Sequence, residues 1–193
     1  MSTLPKRILS PENYLAIERE AEYKSEYYGG EMFAMAGASE THTLIISNVV
    51  RSLGNQVLDR NCYVYPNDMR VKVSAIGKYT YPDVVVVCGK REFDDNRQDT
   101  ILNPVLIIEV LSESTEAYDR GKKFEHYQYL ESLSEYLLIS QESYRIEQYI
   151  RRSDRTWTYY EFHDLDDVVK LATIGCELAL KDVYLKIAMA SAV

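Results

Sequence analysis

The chain is poor in the residues that announce the commonest chemistries. It has three cysteines, Cys62, Cys88 and Cys176, far apart in sequence and odd in number. No CxxC pair occurs, which excludes a zinc knuckle and argues against a disulfide framework; scattered thiols of this kind fit a reducing cytosol. There is no Walker-type glycine-rich loop, no GxGxxG and no GxSxG, so phosphate-loop NTPases, dinucleotide binders and serine-hydrolase elbows have no foothold. No apolar run approaches the roughly 20 residues needed to cross a bilayer. Met1 to Leu9 lacks the apolar centre of a secretory signal. A cytoplasmic protein with no membrane partner is expected. Positive charge is also short: 22 Lys and Arg stand against 30 Asp and Glu, for a net charge of -8 and a pI near 5.0. A strongly basic face for indiscriminate DNA binding is therefore absent overall, and only a local patch stays open.

What is present is an ordinary globular composition, 46% hydrophobic and 27% charged, which excludes a disordered chain. The length of 193 residues suits one domain spanning residues 1–193 with a sizeable core. Ser10-Pro11-Glu12 reads as a helix start, running to about Ala21. Gly29-Gly30 joins two short strands, Tyr23 to Tyr28 and Glu31 to Ala36, as a hairpin. Ser39 caps a longer helix with Ile46, Val49, Val50, Leu53 and Val57 on one face. Strands follow at Cys62 to Tyr65, Met69 to Val73, Asp83 to Cys88 and Val105 to Leu111, with Gly89 to Asn103 as a polar loop. Asp119 to Leu130 reads as a helix, Glu135 to Ser140 as a strand, and Tyr144 to Arg151 with Arg155 to Phe162 as a half-exposed hairpin. Leu178 to Ile187 closes the core, and the tail 188–193 is expected to fray. This order predicts an α/β fold of α+β type, with a central mixed β-sheet flanked by helices.

Glu109 is the informative residue. It interrupts Pro104-Val105-Leu106-Ile107-Ile108-Glu109-Val110-Leu111, which otherwise reads as a strand buried on both faces. An unpaired carboxylate there costs several kcal/mol, so a cation, a donor network or a raised pKa must compensate. Asp83 opens a second apolar strand, Asp83-Val84-Val85-Val86-Val87. Two carboxylates about 4 Å apart repel by roughly 4 kcal/mol at an effective dielectric of 20. Both stay ionised only if a divalent ion or a positive side chain sits between them, and hard oxygen ligands suit Mg²⁺ or Mn²⁺. Asp119, Lys123 and Tyr127 fall on one stripe of the following helix, from which Lys123 can reach the strand ends. Blander roles compete at each position. Asp83 could be a strand-start acid met by backbone donors, and Glu109 an ion pair with Arg120 or Lys123. Lys123 could be a solvated helix residue, with Lys122 replacing it if the helix is rotated. Tyr127 reads as core packing near the site rim and His42 as a capping or packing residue. His126 and His163 have no partners at metal-like spacing. Arg151, Arg152 and Arg155 beside Trp157 are either a phosphate-contact patch or edge-strand charges.

Tyr-Pro-Asp83 followed by four valines, with Ile-Ile-Glu109-Val-Leu, resembles the split active site of the PD-(D/E)xK nuclease superfamily. The run Glu-Val-Leu-Ser-Glu-Ser-Thr-Glu-Ala-Tyr-Asp-Arg-Gly-Lys-Lys-Phe, with the Tyr-Tyr-Gly-Gly-Glu31 hairpin and the helix opening near His42, resembles the Uma-type branch of restriction-endonuclease-like proteins over most of the chain. The resemblance implies a restriction endonuclease-like core and an endonuclease that hydrolyses phosphodiester bonds of DNA with Mg²⁺ or Mn²⁺. Asp83, Glu109 and Lys123 would be catalytic, and Asp83, Glu109 and the carbonyl of Val110 would be the metal ligands. Glu31 matches an upstream acid, a further candidate ligand. The superfamily pattern places Lys two residues after the second acid, where Leu111 stands here; in this branch Lys123 is the matching position. The resemblance also implies a homodimer. The other reading is a nuclease fold kept as a non-catalytic binding or assembly module, motivated by the acidic pI and the displaced lysine.

Overall fold

The computed structural model describes residues 8–189. Residues 1–7, which held most of the segment read for a secretory signal, and residues 190–193 of the tail lie outside the described residues. Helix α1 (Pro11–Glu18) starts where Ser10 accepts a hydrogen bond from the Asn13 amide, with Pro11 in its first turn. It is shorter than the sequence suggested. Strands β1 (Ser25–Tyr28) and β2 (Glu31–Ala34) form the expected hairpin. Gly29 and Gly30, at φ 60° and 84°, supply the two left-handed residues of a two-residue turn matched to strand twist. Helix α2 (Glu40–Gln56) is capped by Ser39, whose hydroxyl accepts from the His42 amide, and it buries Ile45, Ile46, Val49 and Leu53.

Strands β3 (Cys62–Pro66), β4 (Arg70–Val73), β5 (Lys78–Thr80), β6 (Val84–Cys88), β7 (Thr100–Ile101) and β8 (Leu106–Leu111) follow. Neither β5 nor β7 was expected. Both are too short to show an alternating pattern, and β7 lies inside the stretch read as a polar loop. A helical crossover comes next: α3 (Glu116–Tyr118), a π-helical turn (Asp119–Lys123) and α4 (Phe124–Tyr127). The chain ends in β9 (Glu135–Ser140), β10 (Ile146–Arg151), β11 (Trp157–Phe162), β12 (Val168–Leu171), β13 (Cys176–Ala179) and α5 (Leu180–Val183).

The main sheet has the order β11-β10-β9-β8-β6-β3. Its pairs are antiparallel except β8 with β9. A parallel pair needs a crossover, and the helical segment 116–127 supplies it. A second sheet, β2-β1-β5-β4-β7, is likewise mixed, and β12 and β13 form a ribbon. The fold is thus mixed α+β. Strand alternation then sorts side chains by parity. Val84, Val86, Leu106, Ile108 and Val110 join the core under α2 and α5. Val85, Val87, Ile107 and Leu111 join the opposite core, with Tyr127, Tyr136 and the β4 valines. Asp83 and Glu109 carry the parity of this second face.

The cysteine reading needs correction. Cys62 lies directly across from Cys88 in the β3–β6 register, and the two form a disulfide with Cα atoms 4.0 Å apart; Cys176 is free and buried. The 26-residue separation hid a neighbour relation that only strand pairing creates, so the argument from isolated thiols to a reducing compartment does not hold. Among the described residues, no helix is long and apolar enough to cross a membrane.

Candidate active site

Val84 pairs with Ile108 in the antiparallel β6–β8 register. One step further along the same register, Asp83 stands opposite Glu109. The two acids therefore meet at the adjoining ends of the central strands, on the face covered by the crossover. Asp83 Oδ2 accepts from the Val110 amide at 2.7 Å and lies 3.0 Å from His42 Nε2. Glu109 Oε1 accepts from the Tyr127 hydroxyl at 2.8 Å and lies 2.9 Å from Lys123 Nζ. In each acid the donors meet one oxygen, which fixes the carboxylate plane. Asp83 and Glu109 line a single cavity of about 1110 Å³ with His42, Val110, Asp119 and Lys123.

The crossover brings Lys123 to the strand ends. Its ammonium lies 3.3 Å from Asp119 Oδ1, the i,i+4 relation read from the sequence, and 3.7 Å from Glu26 Oε1. The rival assignments separate clearly. Lys122 is exposed and pairs with Glu125 at 3.1 Å, while Arg120 pairs with Glu116 at 2.8 Å and with Glu147 rather than with Glu109. Tyr127 is wholly buried with its hydroxyl on Glu109, deeper than a rim position. His42 does more than cap or pack, since its amide serves the helix start while its ring reaches Asp83.

Two participants escaped the sequence reading. Glu26 on β1 accepts from the Thr80 and Tyr118 hydroxyls and lies 3.4 Å from Lys78 Nζ. Lys78 on β5 is almost fully buried, and its Nζ also sits 3.4 Å from His126 Nδ1. Their signal was faint: Glu26 lies in a four-residue edge hairpin and Lys78 in a three-residue strand. Glu31, opposite Tyr28 in the hairpin register, is exposed and is not among the residues lining the cavity. His163 pairs with Glu161 on β11. Arg151 donates to the Gln128 and Leu130 carbonyls, closing the crossover's C-terminal end, with its guanidinium 5.5 Å from the Trp157 ring centre; this is a structural role.

The electrostatics show a cluster with surplus negative charge. Burial, joined by the nearby Asp119 and Asp83, pushes the Glu109 carboxyl up to about 8 despite Lys123. Burial also raises Asp119, against the pull of the Lys123 ammonium on its Oδ1. Burial works against the Lys123 charge, but Glu109, Glu26 and Asp119 outweigh it and hold that ammonium firmly protonated. Glu26 is lowered because Lys123 and Lys78 outweigh its burial. Lys78 is lowered by burial, against the pull of Glu26.

Comparison with known proteins gives one consistent picture. A family model described as "Uma2: Putative restriction endonuclease" matches residues 11–181. Two Synechocystis proteins named as uncharacterized are similar in sequence. One is 40% identical over 155 residues, covering 80% of this chain and 88% of the relative. The other is 36% identical over 176 residues, covering 91% of each. A crystal structure of a putative nuclease from Anabaena variabilis superposes with a TM-score of 0.75 at 19% identity, covering 91% of this chain and 97% of the other. At that identity the likeness establishes the fold.

Proposed function

The chain belongs to the Uma2 family of putative restriction endonucleases, and we propose that it is a metal-dependent endonuclease that hydrolyses DNA phosphodiester bonds at the Asp83–Glu109–Lys123 site. The observation that carries this reading is the convergence of two strand-end carboxylates and one buried ammonium on a single cavity floor. The charge balance there favours a divalent ion. Four carboxylates, Glu26, Asp83, Glu109 and Asp119, face two ammonium groups, Lys78 and Lys123. Among the described residues no three His, Cys, Asp or Glu side chains form a ready-made metal cage. The donors at the strand ends, two carboxylates beside a backbone carbonyl, would instead suit Mg²⁺ or Mn²⁺, which bind through one or two carboxylates and keep several waters. Asp83, Glu109 and the Val110 carbonyl would hold the ion.

When bound, such an ion supplies an acidified water and neutralises charge on the scissile phosphate. The chain's own residues do the rest. His42 and the Val110 amide hold Asp83 in one orientation, and Tyr127 holds Glu109. Lys123, braced by Glu109 and Asp119, positions the attacking water and meets the charge that builds on the phosphate. Residues 1–193 act as one domain in this reading, working in the cytoplasm, and two copies pair.

The test is incubation of varied DNAs with Mn²⁺ and the protein, beside a Glu109→Ala control. Cleavage by the wild type alone supports the proposal, whereas equal cleavage by both, or none by either on any substrate, overturns it. Metal binding without cleavage would leave a non-catalytic binding module.

A further inference from the structure

The cavity has a second, apolar half that the chemistry above does not use. It is built by the β1–β2 hairpin. Glu26 pairs with Phe33 across the hairpin, so the two share a face; Tyr28, two residues after Glu26, shares it as well. Glu26 therefore points to the acid cluster while Tyr28 and Phe33 continue the same wall outward, and Tyr118 from α3 also lines the cavity. All three aromatic rings are exposed, Phe33 at 50%, Tyr118 at 39% and Tyr28 at 38%. The alternate residues of the hairpin, Tyr27 and Met32, pair with each other on the opposite face and pack into a small cluster with Tyr14 and Tyr79, so the aromatic wall is set by strand parity.

The charges of the cavity are the reverse of a duplex-binding surface. Its lining includes Glu26, Asp83, Glu109, Glu113, Asp119 and Glu142, against two lysines, Lys122 and Lys123. A protein that grips duplex DNA neutralises a row of phosphates with cations, and this mouth offers no such row. At about 1110 Å³ the cavity slightly exceeds the range of small-molecule pockets, roughly 300–1,000 Å³. That is space for a nucleotide or two, not for a paired helix.

We propose that the substrate enters this cavity as an unpaired, single-stranded segment, with a base stacked on the Phe33–Tyr28 wall and its phosphate delivered to Asp83, Glu109 and Lys123. The inference rests on the nuclease reading for its phosphate end. Stacking supplies sequence-tolerant affinity where the protein has few cations, because every base presents a π-face. Single strands, overhangs and frayed ends are then preferred to blunt duplex, and binding depends weakly on salt, since few phosphates are neutralised by side chains.

The experiment measures anisotropy of fluorescent oligonucleotides, single-stranded, overhanging and blunt duplex, with the wild-type protein in Ca²⁺, and follows cleavage separately in Mn²⁺. Expected is at least about tenfold tighter binding of single strand than of blunt duplex, an about tenfold loss for that strand in Phe33→Ala, and no loss in Tyr160→Ala, an equally exposed aromatic on β11. Equal or tighter binding of blunt duplex overturns the proposal, as does unchanged single-strand binding by Phe33→Ala, or no binding of any oligonucleotide. Because binding is read without cleavage, selective binding with no cut product overturns the nuclease reading alone.

Discussion

Glu109 sets burial against charge. Its folded-state pKa of about 8 lies above the ordinary value of 4.5. Between those pH values the native state keeps a proton that the unfolded chain releases. In chelator, the stability linked to Glu109 is therefore full below about 4.5, falls as pH rises, and is gone above about 8. Glu109→Gln should flatten this part of the urea-midpoint profile, by on the order of a few kcal/mol, while abolishing cleavage. A variant profile as steep as the wild type would refute the assignment. Asp99 gives the opposite sign. Burial acts to raise its carboxyl, but Arg19 at 2.8 Å and Arg70 at 2.8 Å hold it well below the usual range. Its contribution is present above the unfolded value of 3.8 and is lost as pH falls through the lower folded one. Asp99→Asn should therefore blunt the acid limb of the same profile and leave cleavage intact. Of these residues, Glu109 was legible in the sequence because a charge inside an apolar run violates a local rule. Glu26 and Lys78 violate nothing visible in their short polar segments, and only folding buries them.

Elements place these residues through register and alternation. The hairpin depends on its glycines: Gly30 has φ 84°, and an added Cβ would collide with the Ile8 side chain. Gly30→Ala should cost more than about 1 kcal/mol, read as a lower urea midpoint. It should also weaken binding at the wall the hairpin supports. Gly54, inside α2, has open space and no positive φ, so Gly54→Ala should stabilise by about 0.5–1 kcal/mol. Equal effects at the two positions would show that backbone conformation is not the cause. The long elements α2, β6, β8 and β9 were readable because their periodic patterns extend over several residues. The crossover was readable as helical, with Lys123 four residues from Asp119, but neither its start at Glu116 nor the π-wound turn at Asp119–Lys123 was, because no residue pattern marks that winding. The strands β5 and β7 are set by their pairing with β4 and not by their own sequences.

At the scale of the whole molecule, the acid cluster is an electrostatic debt that a bound divalent ion would cancel. An ion that binds only the folded state raises stability by about 2.7 kcal/mol at one hundred times its Kd. Mn²⁺ should therefore raise the melting temperature of the wild type, more so above pH about 8 where Glu109 is ionised, and leave Asp83→Asn unmoved. A shift of equal size in Asp83→Asn would place the ion elsewhere.

The sequence by itself determined the strand and helix alternation, the two acids at strand ends and the lysine one helical crossover later. These follow from local pattern, which needs only neighbours along the chain. The tertiary structure alone decided the pairing of Cys62 with Cys88, the arrival of His42 at Asp83, the pairing of Lys78 with Glu26, and the joining of Glu26 and the exposed aromatic wall to one cavity. Each is a contact between segments far apart in sequence, created by strand register and packing, and no local pattern encodes the distance across a folded sheet.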